Sequence, residues 1–190
     1  KCPQIEVIQN QRDALADALQ RPVYVGMRFW EPSIYTAVAQ ARKDRVGRLV
    51  AISLSPHYAK GTVGASHRLL KEVATDIQIL PVWSWAAHPL FIDYWVSQMK
   101  EDATVIFTAP KIDLSEAGLF QSELQDTIRA ITKKVRVHGQ LAFHSILPSE
   151  GPATEPDLWD TVKLLRKSDD ILVAPIGFTS DQVEILYHLD

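Results

Sequence analysis

Apolar positions along this chain switch repeatedly between a helical and a strand period. Ile5, Ile8, Leu15 and Leu19 fall on one helical face over residues 5–20, and Val23-Tyr24-Val25-Gly26-Met27 then reads as a strand. Pro32-Ser33 opens a helix toward Arg45, residues 48–54 form a strand, 65–74 a helix, 77–84 a strand, and a helix runs from Pro89 to Glu101. The second half repeats the theme with strands 104–109, 141–144 and 171–176 and helices at about 120–134, 156–167 and from Asp181. Continuous apolar strands alternating with helices predict parallel sheets covered by helices, hence an α/β fold. The spacing divides it into two three-strand βα units, 1–101 and 102–190, and the expected architecture is two Rossmann-like βαβ halves facing a cleft. Leu147-Pro148-Ser149-Glu150-Gly151-Pro152 reads as an ordered loop beside that cleft.

Composition narrows the function classes. The net charge is −3 with a pI near 6.1, and basic residues are dispersed, so nucleic acid is not an expected partner. No apolar run approaches the ~20 residues that span a bilayer, which predicts a cytoplasmic protein with at most peripheral membrane contact. The one cysteine, Cys2, leaves no internal disulfide, four-cysteine zinc site or cysteine-ligated iron–sulfur cluster.

Candidate chemistry gathers where strands end, the place where open α/β sheets put ligands. After the strand 171–176, Gly177-Phe178-Thr179-Ser180 leads into a helix carrying Asp181, Glu184 and His188. Asp181 reads as its N-cap. Glu184 and His188 are four residues apart and share a helical face, a spacing that can hold a metal. On spacing alone Glu184 also reads as an ordinary helix-surface glutamate. His57 follows Pro56 beyond the strand 48–54, either as a loop histidine or as a cleft residue. His144 ends the strand 141–144, either as a core histidine or as a ligand. Lys60-Gly61-Thr62-Val63-Gly64-Ala65-Ser66 leads into a helix, and its backbone N–H groups suit an anion; the order of glycines and lysine is not that of a nucleotide loop. Arg28 suits a carboxylate of a ligand or an ion pair with a neighbouring acid. Trp83, Trp85, Phe91, Tyr94 and Trp95 divide between core and a flat wall. His88 reads as a helix start, and His67 and His138 as surface residues.

Several segments in order resemble the ferrochelatase family: residues 25–34 (VGMRFWEPSI), 54–58 (LSPHY), 88–92 (HPLFI), 105–109 (VIFTA) and the closing 177–190. The resemblance covers the middle of a ferrochelatase and implies the chelatase-like fold, a role in haem biosynthesis and the insertion of ferrous iron into a porphyrin. Iron would then be a substrate, porphyrin or haem the ligand, and no cofactor permanently bound. It implies that Glu184 and His57 are catalytic, that Glu184, His57 and His188 handle the metal, and that Arg28, Tyr58, Thr62, Ser66 and His144 bind the tetrapyrrole. Pro110 stands where the family carries its invariant histidine, and Ala117-Gly118-Leu119-Phe120 replaces a glycine-aspartate-proline-tyrosine run. Proline has no basic nitrogen. Three readings stay open: a chelatase using His57 or His144 beside Glu184, a silent porphyrin- or haem-binding carrier, sensor or partner of an active chelatase, and an α/β interaction module without a tetrapyrrole site. Exposed sheet edges predict a homodimer or a partner chelatase chain.

Overall fold

The computed structural model describes residues 3–144, 151–165, 171–180, 185, 186 and 189. The order is α1 (Gln4–Leu19), α2 (Ile34–Lys43), β1 (Arg48–Ile52), α3 (Ala65–Val73), β2 (Gln78–Val82), α4 (Pro89–Ser97), β3 (Thr104–Pro110), α5 (Ala117–Thr132), β4 (His138–His144), α6 (Leu158–Leu164) and β5 (Ile171–Ala174). A π-type turn, Lys60–Gly64, runs directly into α3. All ladders are parallel: β1 pairs with β2, and β3 lies between β4 and β5. The fold is therefore α/β with parallel sheets.

Local chemistry sets the helix starts. Ser33 caps α2 by accepting from the Thr36 N–H at 3.2 Å. His88 caps α4 through Nδ1, which accepts from the Leu90 N–H at 3.3 Å, and Pro89 fills the first helical position, where no donor is needed. Asp157 caps α6 and also meets the Lys111 ammonium at 2.7 Å.

The core is concentrated around β3. Val105, Phe107 and Ala109 pack with Ile92, Trp95, Phe120, Leu124 and Ile131 of α4 and α5. Ile106 points the other way, into a cluster with Ala142 and Leu158. The β1–β2 sheet has a smaller core in which Leu49 and Ile79 meet Ile34, Val38 and Ala41 of α2 and Leu70 and Val73 of α3.

The strand expected at 23–27 does not form. Tyr24 joins the α2 cluster, and Gly26 approaches α2 so closely that a Cβ would lie 3.1 Å from the Ile34 Cα. The backbone groups of Met27 are spent on closing the next loop, its N–H on the Pro32 carbonyl and its carbonyl on the Ile34 N–H. Without a neighbouring strand to take its other groups, the segment has no ladder. The loop at 147–152 and the start of the terminal helix fall mostly on residues 145–150 and 181–184, outside the described residues. Among the described residues no helix is long and apolar enough to cross a membrane.

Candidate functional site

The segment that follows β1 is held from the second half of the chain. His57 is 1% exposed, and its Nε2 lies 2.9 Å from the Thr127 hydroxyl on α5. That hydroxyl has acceptors in the Ala86 and Glu123 carbonyls at 3.1 and 3.0 Å. A hydroxyl has one proton; given to a carbonyl, it leaves an oxygen lone pair facing His57, so Nε2 donates and the ring lone pair resides on Nδ1. Nδ1 is buried with no partner among the described residues. Phe91 and Phe120 meet the imidazole edge-on at 6.3 and 6.2 Å. Burial in this apolar setting pushes the His57 pKa down from 6.5 to about 3, so the ring is neutral at ordinary pH.

One turn earlier on α5, the Glu123 carboxylate accepts from the Tyr58 N–H at 2.7 Å and from the Ser84 hydroxyl at 2.8 Å. Thr127 and Glu123 thus fix two successive residues, His57 and Tyr58. Sequence reasoning singled out neither Thr127 nor Glu123. The available signal was a glutamate and a threonine four residues apart on an otherwise apolar helical stripe.

The 60–66 turn presents its carbonyls as well as its N–H groups. Arg28 donates to the Gly61 carbonyl at 2.7 Å and, more weakly, to that of Thr62 at 3.5 Å, and its guanidinium lies 4.4 Å over the Phe29 ring. The Ser66 hydroxyl donates to the Thr62 carbonyl, and the Thr62 hydroxyl to that of Ala59. The Gly61 N–H already holds a carboxylate, that of Glu116, at 2.8 Å. The turn is therefore a carboxylate-binding element occupied from within the chain. Beside it, Arg28 is bonded to neutral carbonyls rather than to an acid among the described residues.

At the end of the second sheet, Pro110 stands in register with His144. Register partners in a parallel pair project to the same face, about 4.8 Å apart along the hydrogen-bonding direction. His144 is 2% exposed, and its ring lies 5.2 Å from that of Phe178, tilted by 34°. Gly177 is pressed so closely on this strand end that a Cβ would fall 2.8 Å from Ala109 and from the Pro110 Cδ. Its N–H bonds the Thr108 carbonyl, and the Thr179 hydroxyl reaches the Leu54 carbonyl at 2.8 Å. That last bond ties the segment after β5 to the segment after β1.

The candidate residues therefore form two groups. Arg28, Tyr58, Thr62 and Ser66 surround the 60–66 turn. His144 lies beside Pro110 and Phe178. His57 belongs to neither, because it packs on the α4–α5 side of the second sheet, whereas His144 alternates with Phe143 and faces away from that side. Asp181, Glu184 and His188 lie outside the described residues. Among the described residues no cluster of three or more His, Cys, Asp and Glu side chains forms a metal site.

His67, expected at the surface, is 4% exposed, with both ring nitrogens lacking partners among the described residues. The reason is its place on the inner side of α3, where its ring meets Trp83 at 4.9 Å; burial lowers its pKa. His138 is exposed and His88 is a cap, as expected.

The ferrochelatase family model matches residues 1–190. The chain is similar to the ferrochelatase of Geotalea uraniireducens, 28% identical over 213 aligned positions that take in 100% of this chain and 66% of that protein. It is similar also to the ferrochelatase of Aquifex aeolicus (31% identical; 100% and 67% covered) and to the coproporphyrin III ferrochelatase of Bacillus pumilus (26%; 93% and 63%). The chain thus spans about two thirds of the length of these relatives. With parallel sheets and a family match along its whole length, the chain belongs to the ferrochelatase family.

Proposed function

We propose that this chain acts in haem biosynthesis as a tetrapyrrole-binding chelatase that inserts ferrous iron. Insertion exchanges the two pyrrole N–H protons for one Fe²⁺, so the protein must hold the macrocycle, present the metal and accept protons. The observation that carries the reading is the register of Pro110 with His144. An imidazole stands one strand away from Pro110, which fills the position of the family's histidine, on the same face of the sheet and in tilted contact with the Phe178 ring.

In this reading Arg28, anchored on the Gly61 carbonyl, pairs with a propionate of the macrocycle. Tyr58, Thr62 and Ser66 line the same side. His144 offers a ring nitrogen to the metal, a role that suits imidazole, and Glu184 takes up the pyrrole protons and guides the ion with His188. His57 is a positioning residue: neutral and locked on Thr127, it sets the path of the segment that ends in Tyr58.

A second reading, a silent porphyrin or haem carrier, draws on the same strand end, because Pro110 supplies no base and the His57 pKa near 3 makes that ring a poor proton acceptor. A porphyrin titration followed through the Soret band, with ferrous iron or zinc added to the bound sample, separates the two. The chelatase reading expects insertion faster than in free porphyrin, abolished in Glu184→Gln and His144→Ala without loss of binding, and weaker porphyrin binding in Arg28→Ala. Binding without insertion establishes the carrier, and no binding overturns both.

A further inference from the structure

The second sheet ends at β4, and part of that edge is open. Backbone direction alternates along the strand: the His138 N–H and the His144 carbonyl bond toward β3, to the Ala103 carbonyl and the Lys111 N–H, whereas the Phe143 N–H turns away from β3 and donates to the Pro156 carbonyl at 2.8 Å. Gly139 and Leu141 share the direction of Phe143, and among the described residues their N–H and carbonyl groups have no partner on that side. They are a template for another strand.

A groove of about 520 Å³ runs along this edge between β4 and α5. Gly118, Ser122, Gln125 and Arg129 form its helix side, Leu141 lies on its strand side, and Glu155 stands beside Pro156. Because α5 leads from the end of β3 to the start of β4, it runs antiparallel to both strands. Gly118 is thus level with the end of β4, where Glu155 sits, and Arg129 with its start, roughly 16 Å away along the helix. The groove is negative at one end and positive at the other. Glu155 forms no ion pair among the described residues, and the cation it feels, Lys111, is already held by Asp157 at 2.7 Å. Arg129 pairs with Asp126 on its own helix, an exposed contact of little strength.

We propose that this edge is the interface of a two-fold dimer, in which β4 pairs antiparallel with β4 of a second copy. That order sets Gly139 opposite Leu141 of the second copy, so the open groups satisfy one another and the two three-stranded sheets become one. The same rotation brings Arg129 at one end of the groove to Glu155 of the second copy, and Gln125, between the ends, toward its own counterpart. This self-complementarity selects a second copy over an unrelated extended segment, since a patch with opposite charges at its two ends matches itself under a two-fold axis. The interface uses the edge and the α5 side of β4, whereas His144 faces the other side of the sheet, so the inference does not rest on the tetrapyrrole reading.

Sedimentation of the intact chain over a range of protein concentrations at low salt should show a reversible monomer–dimer equilibrium. Arg129→Glu and Glu155→Lys, both at exposed positions, should each raise the dimer dissociation constant about tenfold or more, because each sets like charges opposite one another. The two together restore opposite charges and should return the constant to within about threefold of the parent. Hydrogen exchange of the Gly139 and Leu141 amides should slow in the dimer. A chain that stays monomeric up to its solubility limit overturns the interface. So does a dimer that neither single variant weakens, a double variant no tighter than the singles, or unchanged exchange at Leu141. Should a charge variant not fold, Gln125→Arg on the exposed face of α5 replaces it, and an unweakened dimer there overturns the proposal equally.

Discussion

The two sheets are built from similar short parallel strands, and they are buried very differently. In β3 every residue from Val105 to Ala109 is buried, because α4 and α5 cover one face and α6 the other. In β1 burial alternates: Leu49 and Ala51 face α2 and α3, while Val50 and Ile52 are 61% and 55% exposed on the opposite face, with Leu80 of β2 beside them. A strand covered on both faces is a structural centre; one covered on a single face is a platform. The chain anchors its platform by tying the residues after β1 to α5, through His57 on Thr127 and Tyr58 on Glu123. Arg28, Tyr58, Thr62 and Ser66 gather at the rim of the platform, while His144 stands at the end of the rigid second sheet.

The largest effect should come from the centre. Phe107 is fully buried at the meeting point of β3 with α4 and α5. Phe107→Ala removes a ring that close-packed neighbours cannot replace and should cost about 3–5 kcal/mol, read as a fall in the midpoint of urea unfolding. A loss below about 1 kcal/mol would mean that the two sheets are equally expendable and would break the comparison.

The anchor is tested by pH. The folded His57 pKa is about 3 against an ordinary 6.5, because burial disfavours the imidazolium. The unfolded chain therefore takes up this proton first as pH falls. The His57 site costs nothing above pH 6.5, and stability is lost as pH falls from 6.5 to 3, the loss reaching about 5 kcal/mol at the acid end. In His57→Phe, referenced to its own stability at neutral pH, that part of the acid slope should vanish. An unchanged slope would show that the ring is solvated and that the platform is tied down elsewhere.

Much of the second sheet was legible in the sequence. The run Val105-Ile106-Phe107 followed by an amphipathic helix admits few other foldings, and β3 and α5 form close to where the periodicity puts them. The same logic overestimated β1, since an apolar run such as Leu49-Val50-Ala51-Ile52 reports what could be buried, whereas cover is a property of neighbours. The segment 23–27 is a sharper case: its residues are good strand formers, but the Met27 backbone bonds within the adjacent loop and no ladder forms. At the site, the histidines were visible as residues and their surroundings were not. Thr127 lies 70 positions from His57, and only the packing of α5 against the loop brings them together. The pairing of Pro110 with His144 across one strand spacing needed the ladder register, which no single segment contains.

A smaller effect is expected where the second sheet touches the site. Gly177 has room for hydrogen only, with Ala109 and Pro110 at 2.8 Å from where a Cβ would lie. Gly177→Ala must push the turn off the strand end and should cost about 1–3 kcal/mol by thermal unfolding, with a shift of the Phe178 ring against His144. Retained stability with an unmoved ring would show that this strand end yields readily and is no more rigid than the platform.

The smallest effect belongs to the platform itself. Val50 keeps its β-branched shape when changed to Thr, and in the structure it gives up little buried area. Val50→Thr should therefore lie within about 0.5 kcal/mol of the parent in urea unfolding. The near-zero value matters as much as the large one at Phe107, because the hydroxyl would be costly only if the face were covered. A loss of more than about 1 kcal/mol that grows with protein concentration would show that a second copy covers Val50, Ile52 and Leu80, converting the platform into a centre and erasing the difference between the sheets. The same loss without concentration dependence would place the cover within the chain itself.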